Sequence, residues 1–318
     1  FASTIDGAFA LAVNTAGTTT FGGAVGASTA LVSLTTNAGG TTALNGGAVS
    51  TTGVQSYGDA VTLGAATTLA SSGGGAIGFA STIDGGFALA VNTAGTTTFG
   101  GRIGGTTVLT SLTTDAPGSL VFNIPIASLA QTSVHTTGNQ TYGETKTSIS
   151  LGQDTFLMSN TGTVTVGSGG GQIVTNGHLL IVTDSTPGGC AQLAGTIGAG
   201  GTFGCITLLG NTTFNAGAAD ISFTDVINGA FTLTVNTTGT TTFGGAIGGT
   251  TMLTSLVTDA GGTTAINGGT VSTTGVQSYG DAVTLGAATT LTSSGGGAIG
   301  FASTIDGAFA LAVNTAGT

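Results

Sequence analysis

The side chains able to do chemistry are few, and most of them recur by position. The chain of 318 residues carries 12 carboxylates, 2 histidines, 2 cysteines and only two strong bases, Arg102 and Lys146. Asp6, Asp84 and Asp306 share one motif position, with Asn228 at the equivalent site. Asp59 and Asp281 share a second, directly after Tyr-Gly, and Asp115 and Asp259 a third, with Asn37 aligned. Paired carboxylates are the apparatus of glycoside hydrolysis, one acting as acid and the other as base or nucleophile. Exchange with asparagine argues against that role, because an amide cannot take up and release the proton. An amide accepts hydrogen bonds as well as a carboxylate does, so these positions read as turn and ladder residues bonding their local backbone.

The other candidates lead to no active site. His135 and His178 have no neighbouring His or Cys at ligand spacing, whereas a zinc site draws on three or four such ligands. GGAVGA, GGRIGG and GGAIGG lack the Asp of the calcium-binding GGxGxD nonapeptide. Adventitious calcium along stacked aspartates is the one cofactor the sequence leaves open. There is no GxSxG nucleophile elbow, and the Gly-rich GSGGGQ at 167–172 lacks the Lys-Ser/Thr of a phosphate loop. No catalytic, cofactor-binding or metal residue is predicted. Cys190 and Cys205 are the only cysteine pair. In a secreted protein they would close a short Gly-rich loop as a disulfide, the alternative being two buried free thiols.

The elements that carry these residues are strands. With 61 Gly, 4% charged residues and 40% hydrophobic ones, the chain departs from ordinary globular composition, in which about a quarter of residues are charged. Disorder combines low hydrophobicity with high charge, whereas the mean hydropathy here is +0.48. Gly costs about 1 kcal/mol in a helix, β-branched Thr and Val are stiff at χ1, and Glu144 is the only glutamate. Short alternating runs such as Phe9-Ala10-Leu11-Ala12-Val13, punctuated by Gly, Asn and Asp, predict many short strands and tight turns.

Repeats organise them. FASTIDGAFALAVNTAGT at 1–18 recurs unchanged at 301–318, with a near copy from Phe79 and a diverged one from Phe223. Phe1 to Phe79 and Phe223 to Phe301 are the same 78-residue step. Each unit divides into four sub-repeats of roughly 20 residues, too short for a propeller blade and matching one rung of a solenoid. The expected fold is all-β, a right-handed parallel β-helix with rungs of about 20 residues and four rungs per repeat. Three regions follow: repetitive solenoid over 1–116, a divergent segment over 117–222, and repetitive solenoid over 223–318. The divergent segment holds Pro117, Pro125 and Pro187, both histidines and both cysteines. NQTYGE at 139–144 still echoes VQSYGD at 54–59, so solenoid with modified rungs is expected there too.

Net charge is −10, which excludes nucleic-acid binding, since that needs clustered Lys and Arg. No apolar run approaches the roughly 18 residues of a transmembrane helix. The TTT triplets at 18–20, 96–98 and 240–242 are either an outward threonine ladder of the ice-binding kind or simply strand-favouring surface residues.

GVQSYGDAVTLGAATTL, FASTIDGAFALAVNTAGTTTFGG and TDAGGTTAINGGTVSTTG resemble the repeat regions of giant bacterial surface proteins of the filamentous-haemagglutinin-like, two-partner-secretion and autotransporter type. The resemblance covers roughly 1–116 and 223–318. It implies a parallel β-helix, export across the outer membrane, and an extracellular or cell-surface location. The expected function is non-enzymatic: a rigid shaft for surface attachment, contacting host or surface glycans and proteins. Assembly with copies of itself into an extracellular filament or sheath is the alternative, and a polysaccharide-acting β-helix enzyme a weaker one.

Overall fold

The computed structural model describes residues 1–115, 117–127, 131–144, 149–162, 164–166, 173–174, 180–184, 190–198 and 201–317. They are all-β, without helix, and their strands pair in parallel as turns of a β-solenoid. The chain forms two compact units, 1–171 and 172–318, divided inside the divergent segment.

In the first unit each turn contributes three strand positions, and inward side chains stack into three ladders. The first face runs Ile5, Val25, Val49, Leu69, Val91. The second runs Leu11, Leu34, Gln55, Ile77, Thr97. The third runs Thr19, Thr42, Val61, Ile83, Ile103. Alternation places every second side chain inside, and Leu34, Leu69, Ile77, Ile83 and Val91 are fully buried. Each such aliphatic side chain contributes on the order of 1.5–3 kcal/mol by leaving water. An aromatic column continues the second face, with Tyr57, Phe79, Phe99 and Phe122 stacked at centroid spacings of 5.0, 5.5 and 5.9 Å.

The repeat does not close on a whole number of turns. Ile5 lies on the first face of the first turn, while its copy Ile83 lies on the third face of the fourth. Likewise Leu11 is on the second face and Leu89 on the first. The second unit behaves identically: Ile227 belongs to the ladder Ile206, Ile227, Ile247, Val271, Leu291, but its copy Ile305 stacks on Val283 and Thr264. One 78-residue repeat therefore advances three and two-thirds turns, so the mean turn is slightly longer than a quarter of the repeat. The expected rung length is close to this; the expected four rungs per repeat is corrected. The cause is corner length. The stack steps from Ile5 to Val25 and then, by a longer stretch of chain, from Val25 to Val49, so sub-repeat borders do not coincide with turns.

One corner shows what sets the turn. Gly26, Gly104 and Gly248 hold φ of 71, 68 and 67°, a region open to glycine without steric cost. A Cβ at Gly26 would also overlap the carbonyl oxygen of Ser50 in the next turn.

The divergent segment keeps the ladders but changes turn length. In the first unit the steps lengthen, with Leu112 paired to Gln140 and Leu120 to Ile149. In the second unit one turn is short, stepping only from Ala191 to Ile206. The strand Ile206–Gly217 runs straight through a corner, pairing onward with both Ile227–Asn228 and Thr232–Thr237.

Candidate functional site

The recurrent acidic positions are built into the stacking of turns. Asp6 Oδ1 accepts from the amides of Ser28 and Thr29 at 2.8 and 3.1 Å. Asp84 accepts from Thr106 and Thr107 at 2.8 and 2.9 Å, and Asn228 from Thr250 and Thr251 at 2.9 and 3.1 Å. Amide and carboxylate do the same work, as the exchange implied. Their partners lie 22 or 23 residues ahead, in the adjacent turn. This corrects the expectation that they bond their local backbone: corner amides have no strand partner in the next rung, and a side chain from below supplies one. Asp306 occupies the position of Asp84, paired with Thr284 as Asp84 is with Thr62.

The second and third acidic positions reach back instead. Asp59 Oδ1 accepts from Gly40 N–H at 2.7 Å and Oδ2 from the Thr42 hydroxyl at 3.3 Å. Asp281 repeats both bonds with Gly262 and Thr264 at 2.8 and 3.1 Å. Asn37, Asp115 and Asp259 each accept from one backbone amide of the preceding turn, Thr15, Thr93 and Thr237, all at 2.9 Å. Burial raises the Asp115 and Asp281 carboxyls from their ordinary value of 3.8, opposed by these same hydrogen bonds.

The fractional advance also decides what cannot stack. Asp6 and Asp84 lie on different faces, so repeat-related aspartates do not form one continuous column. Among the described residues no group of three or more His, Cys, Asp and Glu is placed to hold a metal. The threonine triplets are separated in the same way: Thr18–Phe21 lies on the third face and Thr96–Phe99 on the second. Their hydroxyls pair with the adjacent turn, as in Thr18 with Thr41 at 2.8 Å and Thr240 with Thr263 at 3.2 Å.

A buried polar network was not anticipated. Gln55 Nε2 donates to the Ala70 carbonyl at 2.9 Å and to Thr51 Oγ1 at 3.2 Å, while its Oε1 accepts from the Tyr57 hydroxyl at 3.0 Å. Gln277–Tyr279 repeats this, and Gln140–Tyr142 preserves it in the divergent segment with Met158 as carbonyl partner. Gln and Tyr two residues apart in all three copies was the available signal. Burial pushes all three phenols far above their ordinary value of 10.0.

Cys190 and Cys205 form a disulfide, with Cα atoms 4.6 Å apart. The residues that follow them, Ala191 and Ile206, are paired, and Ala191 N–H donates to Cys205 O at 2.9 Å. The bond therefore staples two consecutive turns at the shortened rung. Arg102 Nε donates to the Thr132 carbonyl at 2.9 Å, and His135 Nε2 meets Asn160 Oδ1 at 2.8 Å. Lys146, His178, Pro187 and the 167–172 glycine run lie outside the described residues.

Compared with protein-family models, curated proteins and solved structures, the chain matches none.

Proposed function

We propose that this chain is a segment of a non-enzymatic extracellular scaffold, a β-solenoid shaft for cell-surface attachment in the manner of the filamentous-haemagglutinin-like proteins its repeats resemble. The observation that carries the reading is the use of the polar side chains. Asp6, Asp59, Asp84, Asp281 and the Gln–Tyr pairs hold adjacent turns together, each through at least one side-chain atom hydrogen-bonded to a neighbouring turn. Parallel backbone ladders with such cross-links between turns resist separation along the stack. The same surface features recur on successive faces, which suits weak multivalent contacts with glycans or proteins around a shaft.

A second reading, self-assembly into a filament or sheath, is favoured by the 4% charged composition, since a surface with few charges packs against copies of itself with little desolvation cost. Electron microscopy of the purified chain separates the two: isolated thin particles support the shaft, and regular bundles overturn it in favour of assembly. Release of sugars from a polysaccharide panel, lost on D59N or D281N, would overturn both in favour of an enzyme.

A further inference from the structure

Glu144 differs from its counterparts in a way the repeats themselves expose. Asp59 and Asp281 follow the same Tyr-Gly and each satisfies both carboxyl oxygens, one from a backbone amide and one from Thr42 or Thr264. In the divergent copy the residue in the place of Thr42 is Leu120, which has no hydroxyl to give. The extra methylene of Glu144 carries its carboxyl to Thr114 in the preceding turn, whose hydroxyl donates to Oε1. The counterparts of Thr114, Thr36 and Thr258, have hydroxyls without partners, so this contact belongs to the glutamate alone. Glu144 Oε2 is left buried without a hydrogen bond, on a residue only 1% exposed. The residue after Thr114 is Asp115, a second carboxylate, and among the described residues no cation pairs with either. A buried, unpaired carboxylate oxygen costs several kcal/mol.

We propose that Asp115 and Glu144 are a proton-binding carboxyl pair, holding one proton taken from solvent between them and clasping their two turns more firmly in acid than at neutral pH. The proton adds to Glu144 Oε2, the oxygen left without a hydrogen bond, within the field of the Asp115 carboxylate, and no other bond is made or broken. The titratable groups facing Glu144 are Asp115 from the preceding turn and Tyr142 two residues before it; the strand Val164–Val166 of the following turn carries none. Burial first, then the Asp115 charge, raise the Glu144 carboxyl above its ordinary value of 4.5, against the Thr114 hydrogen bond. Because the folded state holds this proton more tightly than the unfolded one, the stabilisation is complete below the ordinary value and is lost as pH rises through the raised one.

Glu144 is the only glutamate, so glutamate labelled with ¹³C at the side-chain carboxyl gives one resonance to titrate. The expected midpoint lies above that of a glutamate in a peptide. D115N, tolerated because Asn37 occupies the same position, moves it down. K146M leaves it in place. In hydrogen exchange, amides of 112–114 open more readily at pH 8 than at pH 5 after correction for intrinsic rates, and E144Q removes the difference. A midpoint at the peptide value, a midpoint indifferent to D115N, or a larger response to K146M than to D115N would each overturn the pair.

Discussion

Gln55→Leu tests whether the buried Gln–Tyr network holds turns together or merely fills space. Gln55 is fully buried and serves the Ala70 carbonyl, the Thr51 hydroxyl and the Tyr57 hydroxyl. Leucine keeps most of the volume but leaves the Tyr57 hydroxyl and the Ala70 carbonyl without these partners in a dry interior. Each such orphan costs about 1–3 kcal/mol, so a loss of about 3 kcal/mol is expected. Tyr57→Phe strands only Gln55 Oε1 and should cost about 1–1.5 kcal/mol. The double variant should recover about 1 kcal/mol relative to the sum, because both members of that hydrogen bond are then apolar. Hydrogen exchange followed by mass spectrometry reads the effect locally. Peptides reaching Ala70 are distinguishable from those reaching Thr292 in the equivalent turn. At tenfold per 1.4 kcal/mol, amides in the first-unit peptide should exchange roughly 100-fold faster, with the second-unit peptide unchanged. Acceleration below about fivefold, or strict additivity in the double variant, would refute the reasoning.

Three further outcomes are expected. Cys190→Ser with Cys205→Ser should lower the stability of the second unit by about 3 kcal/mol, as for a loop of about 15 residues, and reductant should have the same effect on the unmodified chain in thermal melts. Gly46→Ala should be strongly destabilising, since a Cβ there would overlap the Gly23 carbonyl, whereas Gly78→Ala meets open space and should be neutral or stabilising by up to about 1 kcal/mol in denaturant titration. Because the 3 tyrosines are all buried, tyrosinate absorbance should stay absent where free tyrosine ionises and appear only with unfolding.

The sequence was legible where its signals are local. Alternation in Phe9–Val13 and the Gly-Asn-Asp punctuation identify strands and corners, and the 78-residue identity identifies stacking. The exchange of Asp6 and Asp84 with Asn228 points to hydrogen bonding, and all three residues accept from paired backbone amides. Their partners were not legible, because Ser28 and Thr106 lie 22 residues away and become neighbours only when a turn closes. Turn closure is what a linear reading misses. Val25 and Ile103 join their ladders through single bridges within irregular corners, so no strand pattern marks them. Counting sub-repeats then gives four where the backbone makes three and two-thirds. The carboxyl pair was hidden differently: Asp115 and Glu144 are 29 positions apart, and the loss of a donor at Leu120 shows only when copies are superposed.

The fractional advance turns copy number into an angle. Adding or removing one 78-residue copy displaces whatever follows by about 18 Å along the stack, at ~4.8 Å per turn, and also rotates it by a third of a revolution. Only a change of three copies restores the original azimuth. Lengthening such a protein by duplication is therefore also a way of re-aiming its distal part, and variants differing by one copy would present the same distal surface in three different directions before the cycle repeats.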